Sequence, residues 1–453
     1  MKSLEEFRTE IEERSREKRR RNRRINTVLI SLCAVIIIGA ISAIIMIPPK
    51  RTSVGGYNSY KYNRTDGADL MASLKPGIVT SDLAPDAFAE EMTDFGLRLF
   101  KAVAKDGENV LISPLSVISS LGMAANGAQG ETLAQMEEVF GLSVSTLNRY
   151  LYSYVKSLPY GSKYKLALAN SIWFADDGRL EVNKDFLQTN ANYYSAGAYA
   201  EPFDSETVKN INKWVQKNTN GMIDGIVEKI SDNEVMYLIN ALAFDAKWEK
   251  PYESYQLRER SFIKEDGSIN TVLMMYSTES VYYSGNGFQG VGKPYKDRKY
   301  SFVALLPDEG ISVSELLESL DGRYLYDVLC SGKKDAVVDT GIPRFEINYN
   351  DSLADSLKSM GMVEAFKENA DFSGLGTSDF GNIYISDVVH NTYISVDQNG
   401  TRAASSTGIY ANATSAPPDY VKYVILDRPF VYMLIDNKTN IPFFIGTAMD
   451  LSR

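Results

Sequence analysis

The chain has very little histidine and cysteine: His390, Cys33 and Cys330 are all there is in 453 residues. Cys33 lies inside an apolar run and Cys330 stands alone, so one chain holds no disulfide framework and no cysteine-based zinc site. A single histidine rules out a multi-histidine metal site. It also leaves a Ser-His-Asp or Cys-His catalytic set without a second candidate. The nearest approach to a phosphate loop, "GAQGET" (Gly127–Thr132), lacks the lysine and the spacing. No metal, cofactor or internal repeat is indicated.

Positive charge is scarce outside one short stretch. The net charge is −10, yet residues 1–24 hold ten Lys/Arg against six Glu, so the remainder carries −14. An acidic body of this kind is unsuited to nucleic acid. With 44% hydrophobic and 23% charged residues, the composition is that of a globular chain with a large core.

Charge is absent altogether from Ile25 to Ile47, "INTVLISLCAVIIIGAISAIIMI". At about 1.5 Å per residue this run spans a hydrocarbon layer of about 30 Å as a helix. The basic cluster Arg14–Arg24 precedes it, which predicts a cytoplasmic tail (1–24), a transmembrane signal-anchor (25–47) and an extracellular remainder. Secretion after cleavage is the alternative, but the apolar run continues past the small-residue site Ala40-Ile41-Ser42. Residues 48–85, rich in Gly, Ser, Tyr, Asn and Asp, read as an extracytoplasmic linker, and 86–453 as one domain.

Within the domain, Asp86 is placed to cap a helix carrying Phe88, Met92, Phe95 and Leu99 at helical spacing. Ser113-Pro114 starts a second helix, with Leu115, Ile118, Gly122 and Ala125 as its buried face. Further helices are expected over Glu131–Phe140 and Ser205–Gly221. Strand signals then dominate: Glu234–Phe244, apolar enough to be buried on both faces, Tyr300–Pro307, Asn382–Val396, and a C-terminal hairpin, Phe430–Ile435 with Ile441–Ala448. Helices first and strands later give an α+β class.

One segment lacks nearly everything a core needs. From Gly400 to Thr414, "GTRAASSTGIYANAT", there is no proline, one charge (Arg402) and mostly small side chains. A segment free of proline can still join a β-ladder. Strand alternation from Thr401 puts Thr401, Ala403, Ser405, Thr407, Ile409, Ala411 and Ala413 on one face, the first four of them small, with Arg402 on the other.

Several stretches, in order, resemble the serpin family. They are "NVLISPLSVISSLGMAANGAQGETLAQM" (109–136), "INKWVQKNTNGMI" (211–223), "LINALAFDAKW" (238–248), "IPRFEI" (342–347), "ADFSG" (370–374), "VVHNTYISVDQNGTRAA" (388–404) and "VILDRPFVYML" (424–434). The resemblance covers about residues 87–453. It implies the serpin fold, three β-sheets with eight or nine helices and an exposed reactive-centre loop, here residues 400–418. It implies a protease inhibitor rather than an enzyme. The target protease cleaves the loop as a substrate, and the cut loop enters the main sheet as a new strand while the acyl-enzyme is still intact.

By the same resemblance the hinge is Gly400, Thr401, Arg402, Ala403, Ala404, Ser405, Ser406 and Thr407, with Gly400 supplying flexibility. The family commonly has acidic residues where Gln398 and Arg402 stand, which leaves the inward face unchanged but bears on insertion speed. Family spacing counted from Gly400, and back from "APPD" (416–419), gives Thr414-Ser415 as the reactive bond. Thr414, after Ala411-Asn412-Ala413, suits a protease with a shallow primary pocket, elastase-like or subtilisin-like. Asn412-Ala413-Thr414 is also a glycosylation sequon, and a glycan there would obstruct the bait. Ser113, Ser116, Asn240 and His390 match the family's shutter, where the main sheet parts. Trp248 matches the residue where insertion starts. The expected partner is a serine protease held as a covalent acyl complex by a monomeric inhibitor. A cysteine protease target, or a non-inhibitory binding role, stays open. The short anchor and low cysteine content suggest a bacterial surface.

Overall fold

A computed structural model describes residues 68–79, 83–158, 164–176, 180–194, 197–219, 221–223, 225–230, 234–378, 382–401 and 421–452. The tail, the Ile25–Ile47 run and loop residues 402–420 lie outside these. Among the described residues no helix is long and apolar enough to cross a membrane.

The main sheet has seven strands in the order Ala68–Asp69, Gly197–Glu201, Tyr164–Ala175, Met236–Lys247, Gly400–Thr401, Asp387–Val396 and Phe345–Ser352. A six-stranded sheet includes the hairpin Phe430–Asp436 and Pro442–Ala448 and the strand Tyr300–Pro307, every residue of which is buried. A four-stranded sheet holds Leu257–Ile263, Ile269–Glu279, Val337–Pro343 and Val421–Ile425. A two-stranded ribbon, Leu180–Val182 with Gly376–Ser378, adds a fourth sheet to the three expected. Nine α-helices lie among the described residues.

Met236–Lys247 shows why its sequence is apolar on both sides. Met236, Leu238, Leu242, Phe244 and Ala246 enter the main core, while Tyr237 and Ile239 enter a second cluster beneath the helix Ser205–Asn218. That alternation is the period-2 geometry of a strand with both faces covered. The core-side cover is the helix Pro114–Ala125. It starts as expected, with Ser113 accepting from the Ser116 N–H at 3.3 Å and Pro114 in the first turn. It is buried on every side rather than along one face. Ser119 and Ser120 tolerate this because their hydroxyls bond the carbonyls of Leu115 and Val117 at 2.6 and 3.0 Å. Gly122 is needed for packing, since a Cβ there would meet the Tyr194 hydroxyl at 2.5 Å.

Several boundaries differ from the sequence reading: the strand read over Glu234–Phe244 spans Met236–Lys247, and the helix read over Ser205–Gly221 ends at Asn218. The first helix is Ala89–Val103, with Phe88 rather than Asp86 at its start. Pro85 and Asp86 sit in a turn, where the Asp86 carbonyl accepts the Ala89 N–H at 3.2 Å. The strand expected over Asn382–Val396 begins only at Asp387. Before it, the Ile385 and Ser386 N–H groups bond Ala365 and Met236 carbonyls, and the Ser386 hydroxyl takes the Val235 N–H at 2.8 Å. Residues 68–79, read as part of a free linker, instead lie on the domain. Ala68–Asp69 pairs with Tyr199–Ala200 at the sheet edge, and Leu70, Met71 and Leu74 pack against the core.

The helix Ser205–Asn218 is tied to the segment that follows it by one side chain. Asn212 accepts the N–H groups of Ile226 and Val227 at 2.8 and 3.0 Å and donates to the Val227 carbonyl at 2.7 Å. Asn212→Ala would strip three backbone groups of their partner. Chemical denaturation should show a loss of about 2–3 kcal/mol; a loss below about 0.5 kcal/mol would mean that water replaces the amide freely.

Candidate functional site: the opening of the main sheet

The two central strands, Met236–Lys247 and Asp387–Val396, run parallel and pair directly from Tyr237↔Asp387 to Leu242↔Thr392. Beyond that point they part. Gly400–Thr401 fills the gap antiparallel to both, with Gly400↔Lys247 and Thr401↔Ala246 on one side and Thr401↔Val396 on the other. The first two hinge residues are therefore already in the sheet, and Thr401 is buried on the core face beside Ala246. Arg402 to Thr407 and the bond Thr414-Ser415 lie outside the described residues.

Gly400 differs from its expected role as a source of flexibility. It is a buried strand residue, and a Cβ on it would meet the Ala246 carbonyl oxygen at 2.1 Å and Lys247 Cα at 2.7 Å. Close backbone approach, not conformational freedom, requires glycine here.

The turn feeding this strand is fixed from within and from below. Asp397 Oδ1 accepts the N–H groups of Asn399 and Gly400 at 2.7 and 3.1 Å. Trp248 then holds the turn twice, its indole N–H donating to the Asp397 carbonyl at 2.8 Å and its backbone N–H to the Asn399 carbonyl at 2.9 Å. The Tyr252 N–H takes the Gln398 carbonyl at 2.8 Å. Trp248 stacks on Tyr295, centroids 4.5 Å apart and 9° from parallel. The Tyr295 hydroxyl reaches Thr401 Oγ1 at 2.5 Å.

Beneath the stack is a buried ion pair, Lys293 Nζ to Glu279 Oε1 at 2.6 Å, with the ammonium 4.2 Å from the Tyr252 ring centre. Burial alone would pull the Lys293 ammonium down, but the Glu279 carboxylate beside it prevails and its pKa is raised. The pair borders a polar cavity of about 180 Å³. Both Lys293 and Arg298 on its wall are already engaged by glutamates.

The second polar cluster lies further down the seam. Asn170, Asn240 and His390 are in register across three strands. The Ser113 N–H donates to His390 Nε2 at 3.0 Å. A backbone N–H only donates, so Nε2 carries the lone pair and the ring proton sits on Nδ1, which faces Asn240 Oδ1. Ser116 Oγ donates to Asn170 Oδ1 at 3.2 Å and lies 3.5 Å from Asn240 Oδ1. Ser113, Ser116, Asn240 and His390 thus lie in one hydrogen-bonded cluster. Trp248 belongs to the other cluster, at the top. Asn170 was missed, although an amide inside "LALANSIW" was its visible signal. Tyr295, Lys293 and Glu279 gave none.

The serpin model (serine protease inhibitor) matches residues 90–451. The chain belongs to the serpin family. It is similar to the crystal structure of the thermophilic serpin tengpin in its native state, at 45% identity and TM-score 0.82, covering 85% of this chain and 100% of that one. Likeness to the latent state of tengpin is lower, TM-score 0.73 at 44% identity, covering 82% and 100%. Human neuroserpin is 30% identical over 396 residues, 82% of this chain and 94% of that protein.

Burial lowers the His390 pKa to about 3, against about 6.5 for an unperturbed imidazole. Between those values the unfolded chain binds a proton that the folded chain does not, so stability falls as pH drops from about 6.5 toward 3. Denaturation at pH 6 and pH 5 should show a decline about 1.4 kcal/mol per pH unit steeper in the native chain than in His390→Gln. Parallel pH profiles would mean that His390 ionises within the fold.

Proposed function

We propose that the chain inhibits a serine protease by offering Thr414-Ser415 as a substrate bond and inserting the cut loop into the main sheet. The observation that carries this reading is the seam itself. Its upper end is already opened by Gly400–Thr401, and its lower part is closed by direct pairing of the two central strands and by the His390–Asn240 contact across them.

Attack of the protease serine on the Thr414 carbonyl breaks the bond to Ser415 and leaves the loop's C-terminal end esterified to the enzyme. Continuing the observed register residue by residue puts Ala403 opposite Phe244, Thr407 opposite Asn240 and Ala411 opposite Met236, the first residue of that strand. Residues 412–414 then project past the strand end. At about 3.3 Å per residue, the acylated enzyme travels on the order of 45 Å from where the hinge enters. The incoming strand must part Asn240 from His390, and Thr407 brings a hydroxyl to that level. The inward face from Thr401 to Thr407 is small throughout, so the strand meets the core without bulk or charge. The small bait residue favours an elastase-like or subtilisin-like target. The Ile25–Ile47 run anchors the inhibitor in a cell membrane with the serpin domain outside, as a monomer.

The intact chain, mixed with an elastase-like and with a subtilisin-like protease, should give a complex that survives denaturing electrophoresis, with the cut after Thr414 by mass spectrometry. Ala403→Arg should be cleaved at the same bond without trapping the protease, because the guanidinium would have to enter the core beside Phe244. Clean cleavage of the unmodified chain would favour a non-inhibitory serpin. A complex only with a cysteine protease would move the target class. Undiminished trapping by Ala403→Arg would sink the register.

A further inference from the structure

Tyr295 touches the hinge before any protease does. Its ring is fully buried, stacked on Trp248 on one side and edge-on to Phe244 at 5.1 Å on the other. Its backbone is pinned by an isolated bridge to Trp248 and by an N–H bond to the Tyr300 carbonyl at 3.0 Å. A ring held this way cannot turn its hydroxyl elsewhere. That hydroxyl ends 2.5 Å from Thr401 Oγ1, and Thr401 is itself 1% exposed. The two groups meet across 106 residues of sequence, among the apolar side chains at the top of the main sheet.

We propose that Tyr295 is a latch: through its hydrogen bond to Thr401 it holds the first hinge strand in the sheet of the uncleaved protein. If Gly400–Thr401 left the sheet, the Tyr295 hydroxyl would remain buried and unpaired, which costs more than the bond itself contributes. Occupancy of the gap is therefore favoured by a group that cannot follow the hinge out. Tyr295 is a positioning residue, since it acts on the loop and not on a protease. Its consequence for inhibition, which rests on the reading above, is that a latched hinge supplies the first register of the new strand in advance. Insertion then extends a strand instead of starting one, and fewer inhibitor molecules are lost as cleaved substrate.

The test pairs two single variants with the double, because a bond lost in either single variant cannot be lost a second time in the double. In the intact chain, Tyr295→Phe and Thr401→Val should each speed hydrogen exchange of the Gly400 and Thr401 amides about tenfold, equivalent to about 1.4 kcal/mol. The double variant should exchange no faster than Thr401→Val, since the bond is already lost there and the orphaned Tyr295 hydroxyl no longer distinguishes hinge-in from hinge-out. Amides of Val388 to Asn391 should keep their protection throughout, which separates release of the hinge from general loosening. Should Tyr295→Phe not fold, Thr401→Val against the double variant makes the same comparison. Unchanged exchange in the single variants, or a double variant faster than either, overturns the latch. Because exchange needs no protease, a latch seen without a covalent complex would leave this inference standing and remove the inhibitor reading. With a complex, each single variant should consume several-fold more inhibitor per protease trapped.

Discussion

The Trp248 indole N–H bonded to the Asp397 carbonyl is the contact on which the upper half of the main sheet depends. It fixes the turn that reverses the chain after Asp387–Val396, and so decides where Gly400 re-enters. The ring that makes this bond also stacks on Tyr295, whose hydroxyl meets Thr401. The buried pair of Lys293 and Glu279 supports the assembly from below, its ammonium near the Tyr252 ring and facing the Trp248 ring at 5.5 Å. A charge pair this well covered is held in one arrangement by the cost of leaving either ion alone. The hinge therefore rests on a floor that has no low-energy alternative.

The lower cluster works by a different chemistry. Ser113, Ser116, Asn170, Asn240 and His390 carry no formal charge there, because burial keeps the imidazole neutral. Hydrogen bonds between neutral groups net about 0.5–1.5 kcal/mol each. A seam closed by such bonds can be exchanged for another set of similar strength. An ion pair at the same depth would resist that exchange.

Much of this was legible in the residues. The order of landmark stretches, the Ser113-Pro114 start and the doubly buried Met236–Lys247 strand are local patterns, and local patterns survive into the fold. The inward assignment of Thr401 followed from alternation, and the register with Ala246 agrees with it. What was not legible depends on partners far away in sequence. Gly400 appeared to be a source of flexibility because the Ala246 carbonyl that crowds it is invisible in one dimension. Lys293 and Glu279 sit in strands, and Tyr295 just past the end of one, where aromatic and charged residues have no distinguishing pattern. The first helix starts later than read because the Asp86 carbonyl closes a turn onto the Ala89 N–H and the Pro85 carbonyl accepts the Tyr150 hydroxyl. The 68–79 stretch has no sustained helical or strand period to announce that it packs, yet Leu70, Met71 and Leu74 lie against the core.

The direct seam between the central strands is parallel over six residue pairs, whereas the two residues of the hinge are antiparallel to both neighbours. Parallel ladders have slanted hydrogen bonds and are slightly weaker per residue. A strand continuing from Thr401 would therefore do more than add itself to the sheet. It would replace one ladder of the less favourable polarity with two of the more favourable one. On the proposed insertion, part of the gain would be a matter of direction, since two strands that run the same way side by side would each acquire an opposed neighbour.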